Sequence, residues 1–176
     1  MNFKSSTKPN RIASLHLHPT EGGAPFQNVQ MIEVIAGEGI AGNPRYFSRK
    51  TRSGEPSKRQ VSLIEREQIA EHATALGLEK ISPGVVRANI ETLGVNLIDL
   101  IGKHVQIGDA ILFFYEARLP CSKMDAICQG LRELMTNNRQ GVLAQIIKSG
   151  TIRVGNTIKV CDAPVPLAAE NSTQTC

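Results

Sequence analysis

Cys121 is the residue whose type and setting most directly suggest chemistry. It lies in the run Arg118-Leu119-Pro120-Cys121-Ser122-Lys123, with a cation on either side. The segment before it, from Ala110 to Ala117, is apolar, branched and aromatic and reads as a buried strand. The segment after it places Cys121, Met124, Cys128, Leu131 and Met135 at steps of three and four, which predicts a helix starting at the cysteine. A thiol at a helix start between cations meets the conditions that favour the thiolate, the form that attacks electrophiles and binds soft metals. The plainer reading is a small apolar side chain filling a gap at the strand end.

A second feature is the placement of charge. The chain has 176 residues and a net charge of +4. Between residues 45 and 59, six cations (Arg45, Arg49, Lys50, Arg52, Lys58 and Arg59) face one acid, Glu55. The positive excess of the whole chain therefore sits in one Gly-, Ser- and Pro-containing loop. A local cluster fits an anionic ligand, whereas a nucleic-acid binder shows a wider basic face. Two Tyr, five Phe and no Trp leave little for base stacking, so nucleic acid is not the expected partner.

Weaker signals are set aside on spacing. His16 and His18 would share one face of a strand, as a metal pair would, but no third ligand stands at a telling distance, and they read as surface or core-edge histidines. Gly37 to Gly42 holds three glycines without the Lys-Ser/Thr of a phosphate loop or a helical pattern behind them, so it reads as a turn leading into the basic loop. The four cysteines contain no Cys-x-x-Cys, which argues against structural zinc. Cys121 and Cys128 would stand about 10 Å apart on a helix, too far for an unstrained disulfide. Cys161 and Cys176 read as incidental.

These groups need a frame. Strands are predicted over 11–18, 29–35, 59–64, 104–107, 110–117 and 142–147, with 152–154 and 157–161 closing the sheet through Gly155 and Asn156. Helices are predicted over 65–76, capped by Gly77, and from Cys121 onward. Many short strands, frequent glycine turns and two helices define a mainly β (β-rich α+β) class: a closed or nearly closed antiparallel β-barrel with a few peripheral helices. Residues 1–10 read as a flexible N-terminus, 11–161 as a single domain and 162–176 as a flexible tail. No apolar run reaches the roughly 20 residues that span a bilayer, and the N-terminus lacks the apolar core of a signal peptide, so the expected location is cytoplasmic.

Several stretches, in order, resemble the MOSC domain, the module named for the C-terminal part of molybdenum cofactor sulfurases. They are Gly39 to Gly42, Arg59 to Ile64, Gly84-Val-Val-Arg87-Ala-Asn89 through Leu97, and Gly102 through Ile107-Gly-Asp109 to Pro120-Cys121. Gly141-Val142, Gly150-Thr-Ile152 and Val154-Gly-Asn156 follow. The resemblance spans residues 11–161 and implies a strand-rich barrel that binds the molybdenum cofactor (molybdopterin) or carries sulfur. It maps the key cysteine onto Cys121, as metal ligand and catalytic residue. It also maps the Arg and Asn of Gly-x-x-Arg-x-Asn onto Arg87 and Asn89. A thiolate suits oxo-bearing molybdenum or a persulfide sulfur, a guanidinium grips the pterin phosphate, and an amide pairs with pterin ring edges. Arg45, Arg59 and Lys123 complete the expected cofactor-binding set.

The residues alone allow Arg87 an ion pair with Glu91, and Asn89 a turn or strand-edge hydrogen bond. The chain departs from the family pattern where Gly-Asp is common: Gly42-Asn43-Pro44-Arg45 and Gly155-Asn156 stand there instead. No lysine fits a pyridoxal phosphate role, so no such cofactor is expected in this chain. Three functions are implied. The first is cofactor-dependent reduction of N-hydroxylated small molecules, with a separate electron donor. The second is a sulfur or cofactor carrier served by a sulfur donor protein. The third is a non-catalytic anion-binding module.

Overall fold

The computed structural model describes residues 10–164. The expected flexible N-terminus at 1–10 and tail at 162–176 fall almost wholly outside the described residues, as does Cys176. Eleven strands and three α-helices follow in order. They are β1 (Arg11–Leu17), β2 (Gln27–Val29), β3 (Met31–Ile35), β4 (Gly39–Ile40), β5 (Val61–Glu65), α1 (Arg66–Ala75), β6 (Ile90–Leu93), β7 (His104–Ile107), β8 (Ala110–Ala117), α2 (Lys123–Ile127), α3 (Leu131–Leu134), β9 (Val142–Lys148), β10 (Gly150–Arg153) and β11 (Ile158–Cys161). Among the described residues, no helix is long and apolar enough to cross a membrane.

The mainly β expectation holds; the closed barrel does not. Eight strands form one open sheet in the order β11-β7-β8-β9-β5-β6-β1-β2, and β10-β3-β4 form a second. The two sides of the large sheet meet at one isolated bridge, Arg11 to Thr157, flanked by main-chain hydrogen bonds between Ile12 and Asn156 and between Ile158 and Asn10. Nor is the sheet wholly antiparallel. β5 and β6 run parallel, Leu63 opposite Ile90, because α1 returns the chain across the sheet in a crossover rather than a hairpin. The expected pairing of 152–154 with 157–161 is also replaced: β10 pairs with β3 and β11 with β7. Gly150 makes the switch from β9 possible, since a Cβ there would lie 2.5 Å from the carbonyl carbon of Asp109.

Each strand's alternation sorts its side chains between two cores. Val61 and Leu63 of β5 join Leu112 and Phe114 of β8 and Ile32, Val34 and Ile152 of the small sheet in the larger core. Ile64 points the other way, into a second core with Ile69 and Ala73 of α1, Val86, Met124, Leu131 and Met135. The helix predicted from Cys121 is two short helices, α2 and α3, broken at Cys128 to Gly130, where Gly130 takes φ +92°. Met124, Leu131 and Met135 still reach the core as the spacing required, while Cys121 precedes the helix and is exposed.

Candidate functional site

Three segments converge at one end of β5. The turn after β8 brings Arg118 and Cys121, the basic loop after β4 brings Arg45, Tyr46 and Arg59, and the loop before β6 brings Arg87 and Asn89. They enclose a cavity of ≈ 230 Å³. All six residues singled out in the sequence, Cys121, Arg87, Asn89, Arg45, Arg59 and Lys123, line it. So do Arg118, the cation that precedes Cys121 in the sequence, and His18, which the sequence places at the surface or the core edge. Among the described residues, no carboxylate lines this cavity. Four guanidinium groups and one ammonium thus share a wall with one thiol.

Arg59, Arg87 and Arg118 are held by aromatic faces and main-chain carbonyls rather than by acids. Among the described residues the ion pairs are Arg66–Glu91 and Arg139–Glu71, neither in the cavity. The Arg87–Glu91 pair open to the sequence does not form. Instead the Arg87 guanidinium lies 4.9 Å from the Phe26 ring centroid, and the Arg59 and Arg49 guanidinium groups lie 4.8 and 5.4 Å from that of Tyr46. His18 bridges the two rings, 4.4 Å from Phe26 and 5.3 Å from Tyr46.

The loop that carries Arg87 is fixed from below. Glu91, fully buried, accepts the Gly84 N–H at 2.8 Å through Oε1, while its Oε2 takes Arg66 at 2.8 Å and Ser14 Oγ at 3.2 Å. Gly84 has φ +83°, and a Cβ there would press on the His16 ring at 3.1 Å. Arg87 itself adopts φ +61°, a left-handed conformation uncommon outside glycine that costs of order 1 kcal/mol or more. Arg118 supports it: only 8% exposed, it donates to the carbonyls of Arg87 at 2.9 Å and Val86 at 3.5 Å. Burial lowers the Arg118 pKa to about 10, with Arg59 acting in the same direction and Cys121 opposing. Arg118 therefore keeps its charge at neutral pH.

Asn89 is committed elsewhere. Its Oδ1 accepts from the Ser62 main-chain N–H at 3.2 Å and from Ser62 Oγ at 3.0 Å, and its Nδ2 donates to the His16 carbonyl at 3.3 Å. These bonds occupy Oδ1 and one Nδ2 hydrogen and tie β5 to β1 beneath the cavity, while the amide's second N–H remains beside the cavity. Asn43, at the departure from the family pattern, has a defined task. Its Oδ1 accepts both the His18 main-chain N–H at 2.9 Å and the imidazole Nδ1 at 3.1 Å. Burial then lowers the His18 pKa to about 4, against the raising effect of the Asn43 bond and with Arg87, Arg45 and Arg118 adding to the drop. His18 is neutral at pH 7. No group of three His, Cys, Asp or Glu able to hold a metal occurs among the described residues.

The five-residue α2 contributes little dipole at Cys121, so the positive surroundings expected there come from side chains. The bond of Arg118 to the Arg87 carbonyl and that of His18 to Asn43 are not legible in the sequence, because the partners lie 31 and 25 residues away in the chain.

A MOSC domain model matches residues 33–159, and the chain belongs to this family. Its fold is similar to that of the YuaD protein from Bacillus subtilis, at 18% identity and TM-score 0.71, covering 86% of this chain and 95% of that one. It is also similar to YiiM from Geobacillus stearothermophilus (17% identity, TM-score 0.68, 88% and 76% covered) and YiiM from Escherichia coli (17%, 0.63, 88% and 71%). No curated protein matches the chain at a significant level.

Proposed function

We propose that the cavity binds the molybdenum cofactor, with Cys121 as the protein's ligand to the metal, and that the protein reduces small N-hydroxylated compounds. One observation carries this reading: among the described residues, a single exposed thiol stands in a cavity whose every charged group is a cation. The donor set suits the group. A phosphate-bearing pterin needs multivalent anion binding, and soft, oxo-bearing molybdenum needs a soft ligand. Arg45, Arg59, Arg87 and Lys123 would hold the phosphate and other anionic edges. Arg118 would fix the loop of Arg87, and Asn89 would hold the floor. Neutral His18, its Nδ1–H engaged by Asn43, would leave Nε2 as a hydrogen-bond acceptor on the wall. When bound, the cofactor supplies a two-electron centre able to accept an oxygen atom, and a separate donor protein returns the electrons.

The exposure of Cys121 favours a second reading, a sulfur carrier. The Cys121 thiolate would attack the outer sulfur of a donor persulfide, form a new persulfide and release the donor as its thiolate.

Molybdenum and pterin content per chain tests the first reading, for wild type and Cys121→Ser made in a host that synthesises the cofactor. Near-stoichiometric metal in the wild type, lost in the variant, is the expected result. No cofactor in the folded wild type, even after loading in vitro, would overturn it and leave the carrier, which mass spectrometry of Cys121 after exposure to a persulfide donor would detect.

A further inference from the structure

A second compartment opens beside the cationic cavity. It is a cleft of ≈ 410 Å³ that shares Arg45, Arg87 and Lys123 with the first. Apart from these three cations, every side chain lining it is apolar, and the rest of its wall is glycine. Pro25, Pro83, Val85 and Ile127 form its body. Val85 is 37% exposed, an apolar side chain left facing solvent at a concave surface. The walls are braced: Glu91 pins the loop at Gly84, and Phe26 is buried beneath the Arg87 guanidinium.

The chemistry of this lining selects its occupant. Among the described residues, no uncharged polar side chain and no acid is present to satisfy a polar or cationic body, and the charged groups lie on the border with the first cavity. We propose that the cleft is a subsite for the ring-sized apolar part of a small oxyanion, whose anionic end reaches across Arg45, Arg87 and Lys123 toward Cys121. The two compartments together then select aromatic oxyanions over simple inorganic ones. The inference rests on the reading that the cationic cavity receives anions, but not on molybdenum, and it concerns the cofactor-free chain, since a cofactor phosphate would compete for the same three cations.

Calorimetric titration of the full chain with phenyl phosphate and with inorganic phosphate, at low ionic strength, is the test. Phenyl phosphate is expected to bind at least about tenfold more tightly, the gain from burying a ring. Val85→Asn, which makes the wall polar, and Ala126→Phe, which fills the cleft, should each remove most of that advantage while leaving phosphate affinity within about twofold of wild type. Both substitutions are at the cleft surface, and circular dichroism checks that the variants fold. Equal affinity for the two anions in wild type would overturn the subsite and leave the cationic cavity standing. An advantage undiminished in both folded variants would also overturn it, by placing the ring elsewhere. No binding of either anion would remove the subsite together with the anion-binding reading.

Discussion

The Arg118 guanidinium donates to the main-chain carbonyl of Arg87 at 2.9 Å, so one cation of the cavity wall sets the backbone position of another. Two like charges are held close by a bond that neither makes with the other's side chain. Arg118→Met removes the donor from the buried Val86 carbonyl and the half-buried Arg87 carbonyl. Unfolding in urea should show a loss of about 2–4 kcal/mol, and phosphate affinity should fall even though Arg87 is intact. Unchanged affinity would mean that the loop holds itself.

The left-handed backbone of Arg87 separates its structural cost from its binding role. Arg87→Gly should be more stable than Arg87→Ala by about 1 kcal/mol, because glycine accepts φ +61° without penalty. Both variants should lose anion affinity equally, since both lose the guanidinium. Urea unfolding and phosphate titration of the pair read the two effects apart.

His18 should make stability fall in acid. Its pKa is about 4 in the folded protein against 6.5 ordinarily, so between these values the unfolded chain binds more protons and stability declines as pH drops. The contribution is fully present above pH 6.5 and is lost as pH falls from 6.5 toward 4. Because solvent reaches the cavity, its size is no more than about 2 kcal/mol. His16 and His72, also lowered by burial, add slopes of their own, so the readout is the difference between wild type and His18→Gln across that range.

Asn89 is legible in the sequence as a site residue, but its bonds to Ser62 and to the His16 carbonyl are not. If its amide is structural, Asn89→Ala should cost about 2–3 kcal/mol by unhooking Ser62 and the His16 carbonyl. The loss should appear in denaturation more than in ligand affinity.

The parts of the molecule that could be read from sequence are those decided by near neighbours. The hairpin of β7 and β8 turns on Gly108-Asp109, and the apolar run of β8 alternates buried and half-buried residues as a strand must. α1 ends at Gly77 because its N–H and that of Leu78 return to the last carbonyls of the helix. The cysteine and its cations were visible as a local cluster. What was hidden depends on distant partners: the parallel pairing of β5 with β6, the exchange of β10 into the small sheet, and Arg118 as support for a loop 31 residues away. A helical stripe could not reveal its own break either, because Cys128 to Gly130 interrupts the helix without displacing Leu131 or Met135 from the core.

Gly141 marks a contact of the same hidden kind. A Cβ there would stand 1.9 Å from the Leu63 carbonyl oxygen, and its φ is +77°. Its carbonyl accepts the Arg118 N–H at 2.9 Å. Gly141→Ala should therefore lower stability by more than about 3 kcal/mol, or prevent folding altogether, as judged by thermal denaturation.

The bridge between Arg11 and Thr157 has a consequence for how the protein is made. Arg11, at the start of β1, waits for a turn synthesised 146 residues later before its bridge to Thr157 can form. β7 likewise lacks its outer neighbour until β11 arrives. At translation rates of about 5–20 residues per second, the early strands spend several seconds or more with an edge unprotected. Pairings this distant in sequence also slow the search for the native fold. The assembly of the sheet is therefore timed by its last strand, and a chain interrupted before residue 157 keeps an open flank on which other chains can add.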